Sequence, residues 1–244
     1  MILLVDMGNT RVKWRLQSGH GVMASGVGRL GEAGLFAGLA PFVAQVEAVA
    51  VSTVASEPFR EELAAAIAAR VAAPVTFYWS EARRKGLRNA YKDPLKMGAD
   101  RWHAMVGAWQ RNPKGCLVVD AGSAITVDFI APDGAHLGGY ILAGRGMMLR
   151  GLAQDAARID YHTADSHSLA PGINTSECVF HGLQWYWRAL AERINLEAGE
   201  WGLATTYVTG GDGSELLVHG LTGEYCPDLV LEGVAAIAAE GCDV

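Results

Sequence analysis

Four short segments carry the residues whose types and spacing can do chemistry. In Asp6-Met7-Gly8-Asn9-Thr10 a carboxylate, a glycine and two small polar residues fall at a strand-to-strand turn. Backbone N–H groups at such a tip can face a phosphate, Gly8 permits close approach, and Asp6 can hold Mg²⁺ directly or through water. Lys13 adds a positive charge one strand later. Asp120-Ala121-Gly122-Ser123 repeats the theme: Asp120 can bind a cation, and Ser123 brings a hydroxyl for phosphate oxygens. Thr209-Gly210-Gly211-Asp212-Gly213 places Gly210 and Gly211 side by side, as needed where a flat base or ribose lies against main chain. The fourth segment, Gly98-Ala99-Asp100-Arg101, opens a helix, where the dipole and free N–H groups favour negative charge.

Phosphoryl transfer unites these groups, because the protein then mainly positions reactants and neutralises charge. Asp100 can accept a proton from a substrate hydroxyl, and Arg101 can hold an anionic group. Blander readings stay open for each: a Gly-Asn hairpin with a solvated Asp6, a strand-end Asp120 capping its own turn, a simple glycine loop, and Asp100 as a helix cap.

Other signatures fail on context. Gly26-Val27-Gly28-Arg29-Leu30-Gly31 spells G-x-G-x-x-G but does not follow the first strand of a βαβ unit, so no dinucleotide site is expected there. There is no P-loop motif, no H-E-x-x-H and no G-x-S-x-G, and Ser123 has no evident histidine partner. His103 reads as a helix-face residue rather than a metal ligand, and Gln184-Trp185-Tyr186-Trp187 as core or subunit contact.

The positioning elements follow from pattern. Strands are expected over 2–6 and 11–16, then a helix near 32–45, a strand at 48–53, an Ala-rich helix from about 57 to 71 and a strand at 75–79. Residues 80–97 hold the one local excess of positive charge, and a helix over 99–111 stops at Asn112-Pro113-Lys114-Gly115. That stop divides the chain into domains 1–114 and 115–244. Beyond it, Val119-Asp120-Ala121-Gly122-Ser123-Ala124 echoes Val5-Asp6-Met7-Gly8-Asn9-Thr10, which points to two copies of one unit. A strand at 205–208, a helix at 214–218 and a closing helix over 229–240 complete an α/β layer structure.

Composition sets the outer limits. The 244 residues are 50% hydrophobic and 19% charged, enough for a sizeable core. A net charge of -6 without a basic run argues against nucleic acid, and no apolar stretch is long and unbroken enough to span a membrane. The apolar start meets Asp6 at once and reads as a buried strand rather than a secretion leader. Four scattered cysteines suggest neither a zinc knuckle nor a disulfide scaffold, so a reducing cytoplasm is expected.

Taken together, the ordered motifs from Asp6 to Gly213 resemble those of the type III pantothenate kinases, within the acetate and sugar kinase, Hsc70 and actin superfamily. The resemblance implies two duplicated ribonuclease H-like, actin-like ATPase domains with a nucleotide cleft between them. It implies that Asp6, Gly8, Asn9, Thr10 and Lys13 hold ATP phosphates and Mg²⁺, with Ser123, Gly210 and Gly211 also on the nucleotide. Asp100 becomes the general base, and Tyr91, Gly98, Ala99, Asp100 and Arg101 contact pantothenate. Asp120 matches the ligand of a monovalent cation, K⁺ or NH₄⁺. Thr175 matches a substrate contact supplied by the partner subunit, which makes a homodimer part of the site. One departure stands out: Ser123 occupies a position where the family usually has Thr, keeping the hydroxyl and losing the methyl. A different small-molecule kinase of the superfamily and a non-catalytic ATP-binding regulator are the rival expectations.

Overall fold

The computed structural model describes residues 1–156, 159–162, 168–203 and 205–240. They divide into two units, one made of Met1–Lys114 with Pro132–Leu137 and the segment from Asp228, the other of Gly115–Ala131 and Gly138–Pro227.

The first unit is built on strands β1 (Ile2–Met7), β2 (Val12–Ser18), β3 (Gly21–Gly28), β4 (Ala48–Thr53) and β5 (Val75–Tyr78), in the order β3-β2-β1-β4-β5. β2 is antiparallel to β1, whereas β4 runs parallel to it, with Asp6 opposite Ser52 and Met7 opposite Thr53. Side chains alternate across the sheet. Leu3, Val5 and Met7 pack with Val49, Val51 and helix α1 (Glu57–Ala68), which contributes Leu63 and Ile67. The other face presents Leu4 and Ala50 to Leu231, Val234 and Ala238 of α6 (Leu229–Glu240).

α6 also lies along α2 (Ala99–Arg111), and two glycines make the close approach possible. A Cβ on Gly233 would collide with the His103 carbonyl oxygen, and one on Gly107 with the Leu229 carbonyl oxygen. The closing helix expected over 229–240 is therefore present but packs in the first unit, not with the second half of the chain. Between β5 and α2 a two-stranded ribbon, β6 (Arg83–Arg84) and β7 (Leu87–Arg88), carries much of the positive charge.

The second unit repeats the plan. Strands β8 (Cys116–Ala121), β9 (Ala124–Ile130), β10 (His136–Ala143), β11 (Thr206–Thr209) and β12 (Glu224–Tyr225) are ordered β10-β9-β8-β11-β12. β9 is antiparallel to β8 and β11 parallel to it, as β2 and β4 are to β1. Leu117, Val119 and Val127 pack against Trp187, Ala191 and Ile194 of the long helix α4 (Thr175–Glu200). Helices α3 (Arg145–Asp155) and α5 (Gly213–Val218) complete the unit.

One expectation needs correction. The helix near 32–45 is instead a 3-10 segment over Ala37–Gln45 with Pro41 inside it; Gly31, Gly34, Gly38 and Pro41 deny an α-helix its backbone bonds. The G-x-G-x-x-G run lies at the end of β3, where a Cβ on Gly26 would stand 2.7 Å from the Trp14 indole, so Gly26 makes room for a core tryptophan. Of the 184–187 cluster, Gln184 and Trp187 are buried while Trp185 is exposed.

Candidate active site

α2 begins where the sequence places it, with Gly98 before it and Asp100 in its first turn. The half-buried Asp100 carboxylate accepts the Arg101 backbone N–H at 2.7 Å. A Cβ on Gly98 would stand 2.7 Å from that same Asp100 oxygen, so glycine is what leaves the carboxylate its place. The same virtual atom lies 3.5 Å from Val54, just past β4, which sets the start of α2 beside the carboxyl end of the parallel pair β1 and β4. Arg101 is buried at 5% exposure, and its Nη1 donates to the Tyr91 hydroxyl at 2.9 Å with the guanidinium 5.8 Å from the ring centre. A guanidinium so desolvated acts on an anion with little dielectric screening. Tyr91, Gly98, Ala99, Asp100 and Arg101 are thus brought together.

Asp6 closes β1 on the α2-facing side of the sheet, and Gly8, Asn9, Thr10 and Arg11 form the tip. The Gly8 N–H donates to the Arg11 carbonyl at 3.1 Å and closes the turn. Asn9 and Thr10 are the exposed part of the tip. The Lys13 ammonium is 2.6 Å from Asp228, which Arg15 approaches at 3.3 Å. Burial alone would raise the Asp228 carboxyl, but the hydrogen bonds and charges of Lys13 and Arg15 hold it below its ordinary value. A lowered folded value means stability present at neutral pH and lost as pH falls through it. Asp228→Asn is expected to remove that acid-side loss, read as a flatter dependence of the unfolding midpoint over roughly pH 2 to 5.

In the second unit the two glycine-bearing turns dock on each other. Asp212 N–H donates to the Ala121 carbonyl at 2.8 Å, and the Tyr225 hydroxyl donates to the Gly210 carbonyl at 3.1 Å. Gly210 has φ +88°, and a Cβ there would strike the Ala121 carbonyl and the Asp120 carboxylate. Those two oxygens therefore converge on one side of Gly210. By contrast, nothing lies within 4 Å of a Cβ on Gly211, whose face is open. Gly122 N–H closes its hairpin on the Ala124 carbonyl at 2.9 Å, as Gly8 does in the first unit. The Ser123 carbonyl accepts Gly144 N–H at 3.1 Å, and Gly144 can be nothing larger because a Cβ would strike the Gly122 carbonyl.

Thr175 is exposed at the first turn of α4, after an Asn174 cap whose side chain accepts Glu177 N–H at 3.0 Å. Asp228, Gly144 and Tyr225 were not singled out from the sequence. Only Gly144 carried a local signal, as a glycine between a strand and a helix. Sequence reading also set His103 aside, yet it is fully buried with Nδ1 2.7 Å from the Ser52 hydroxyl. Burial pulls its pKa down to about 3.

Among the described residues no three His, Cys, Asp or Glu side chains converge. No described helix is long and apolar enough to cross a membrane.

Comparison with known proteins matches residues 2–196 to the profile of the type III pantothenate kinases. A type III pantothenate kinase of Marinobacter nauticus is 46% identical over 241 residues, 99% of each chain. Among solved structures, a Campylobacter jejuni protein described as a Baf family transcriptional activator aligns over 99% of this chain and 100% of its own, with TM-score 0.60 and 21% identity. A Sinorhizobium meliloti protein described as a 2-dehydro-3-deoxygalactonokinase covers 100% of both chains at TM-score 0.59 and 16% identity. These structural likenesses show the fold alone, the α/β plan that the two units share. With the family profile spanning both turn motifs and the start of α2, and a near full-length relative at 46% identity, the chain belongs to the type III pantothenate kinase family.

Proposed function

We propose that this protein transfers the γ-phosphoryl group of ATP to the terminal hydroxyl of pantothenate, giving 4'-phosphopantothenate, the first step toward coenzyme A. The observation that carries the reading is the start of α2. There Asp100, backed by Gly98, stands next to a buried Arg101 that is held by Tyr91. Asp100 orients the hydroxyl and takes its proton, and Arg101 with Tyr91 holds the substrate's anionic end. Asp6 would hold Mg²⁺, which when bound would supply positive charge to neutralise the phosphates. Asn9, Thr10 and Ser123 supply the polar contacts to phosphates, while Lys13 acts with its charge shared with Asp228. The converging Asp120 and Ala121 oxygens suit a monovalent cation, a hard ion that takes oxygen donors.

Thr175 serves the substrate site of a partner subunit in a homodimer. Its neighbour Ile173 is 91% exposed and Trp185, farther along the same helix, 64% exposed, apolar surface that a second copy covers. The free Cys116, Cys178 and Cys226 suit a reducing cytoplasm.

The test is ADP release from ATP by the purified protein, with pantothenate and with a panel of other alcohols, in K⁺ and in Na⁺. Release that depends on pantothenate and rises in K⁺ is expected; ATP binding with no pantothenate-dependent release overturns the reading. The two adjacent glycines separate structure from binding. Gly210→Ala is expected to lower the unfolding midpoint, because its φ and its neighbours exclude a side chain. Gly211→Ala is expected to keep that midpoint and raise KM for ATP roughly tenfold, as a methyl where a flat base should lie costs about 1–2 kcal/mol. An unchanged KM removes Gly211 from the nucleotide site.

A further inference from the structure

We propose that Asn89 is a positioning residue for the site that holds the substrate's anionic end: its side-chain amide sets the place of Tyr91 and, through the Tyr91 hydroxyl, that of the Arg101 guanidinium. The inference rests on the reading above, in which Arg101 with Tyr91 holds that end of pantothenate, and adds a residue outside the four motif segments.

Asn89 stands at the root of the β6–β7 ribbon. Its N–H donates to the Ala82 carbonyl at 3.0 Å, which extends the pairing of Arg83 with Arg88 by one residue. The ribbon is itself fixed within the first unit. Leu87 is fully buried, Arg88 N–H donates to the Gly134 carbonyl at 2.8 Å, and Trp109 Nε1 donates to the Lys85 carbonyl at 3.0 Å.

Beyond that root the chain turns, and the half-buried Asn89 side chain makes the turn. Nδ2 donates back to the Glu81 carbonyl at 3.2 Å, and Oδ1 accepts the Tyr91 N–H at 2.9 Å. The second bond is an Asx-turn, in which an asparagine oxygen takes the backbone N–H two residues on. Together the two bonds fix the amide in one orientation, because a flip would set oxygen against the Glu81 carbonyl and NH₂ against an N–H. Ala has neither group and Asp lacks the donor. One planar side chain thus ties a rigid ribbon to the backbone of Tyr91.

Tyr91 passes that placement on. Its hydroxyl accepts Arg101 Nη1 at 2.9 Å, on a guanidinium that is 5% exposed. A guanidinium presents its donors in a rigid fork, so small errors of aim weaken its hold on an anion. The far end of the same segment is tied separately: the buried Ser80 hydroxyl donates to the Met97 carbonyl at 2.8 Å, next to Gly98. Loss of the Asn89 amide therefore loosens Tyr91 while the approach to Asp100 keeps its anchor.

The experiment compares full-length wild type, Asn89→Ala, Asn89→Ser and Tyr91→Phe, with both Asn89 variants also made in the Y91F background. Titration calorimetry measures pantothenate binding, steady-state kinetics measure kcat and both KM values, NMR hydrogen exchange follows the Arg101 guanidinium protons, and thermal melts report folding. N89A is expected to weaken pantothenate binding about tenfold, the upper end of what one hydrogen bond contributes. Its kcat and KM for ATP should stay within about twofold of wild type, the pattern of lost substrate binding without lost chemistry. Exchange at Arg101 should become several-fold faster. N89S, whose hydroxyl can accept the Tyr91 N–H in the weaker serine form of the turn, is expected to lose only about threefold. In the Y91F background neither Asn89 variant should weaken binding further, since non-additivity marks residues that act through one another. The proposal is overturned by N89A binding pantothenate as wild type does, by N89S falling as far as N89A, or by Asn89 effects that multiply with that of Y91F. Should N89A not fold, N89S carries the cycle: a loss on wild type and none on Y91F is expected, and an equal loss on both overturns it. Wild type that neither binds pantothenate nor releases ADP with it refutes the substrate reading alone, because Arg101 exchange, faster in the Asn89 variants or unchanged, still judges Asn89.

Discussion

Asp100→Asn is expected to lower kcat for pantothenate phosphorylation by roughly 10²–10⁴-fold, the usual contribution of a general base. The substitution is nearly isosteric. Its side-chain oxygen can still accept the Arg101 N–H now 2.7 Å away, and Gly98 leaves room for it as for the carboxylate. What it cannot do is take a proton. Loss of a negative charge in the first turn of α2 removes about 0.3–1 kcal/mol of helix-dipole interaction, too little to unfold the protein. The expected pattern is thus a collapsed kcat, KM values near wild type and an almost unchanged melt. Turnover within a few-fold of wild type would exclude Asp100 as the base.

Gly233→Ala carries the largest expected effect on stability. In an isolated helix the change would favour folding by about 1 kcal/mol. Here the new Cβ would collide with the His103 backbone carbonyl and lie 3.1 Å from the Gly107 nitrogen, so α2 and α6 must separate. Backbone cannot rotate aside as a side chain can. A net loss of about 3 kcal/mol or more is expected, seen as a lower urea midpoint. Gly182→Ala is the control, because nothing lies within 4 Å of a Cβ there and α4 should gain about 1 kcal/mol. Equal midpoints for Gly233→Ala and wild type would show that the helices are not in contact at that crossing.

Local chemistry made the turns legible in the sequence. Asp6-x-Gly8 and Asp120-x-Gly122 sit at hairpin tips whose glycines the turn itself requires, and the repeat of that tip carried the duplication. The start of α2 was equally plain, since Asn112-Pro113 ends the helix and Gly98 precedes it. β3 and β10 were missed for a physical reason. Each is an outer strand of its sheet rich in glycine, with Gly21, Gly26 and Gly28 in one and Gly138 and Gly139 in the other, and pairing with β2 or β9 overrides weak propensity. α3 and α4 were not drawn either. The pairing of Lys13 with Asp228 joins residues 215 apart in number, and that of Ser52 with His103 joins residues 51 apart. No periodicity announces such partners. The partner of the Gly8 amide was equally invisible: the N–H closes its own turn on the Arg11 carbonyl.

The position of α6 sets an order for biosynthesis. While the ribosome is still translating the stretch up to Pro227, the nascent first unit lacks the helix that shields Leu4 and Ala50 and the aspartate that neutralises Lys13. The Leu4 and Ala50 patch stays uncovered by that helix until Leu229–Glu240 leave the exit tunnel, so the first unit completes its packing only after the second has been synthesised.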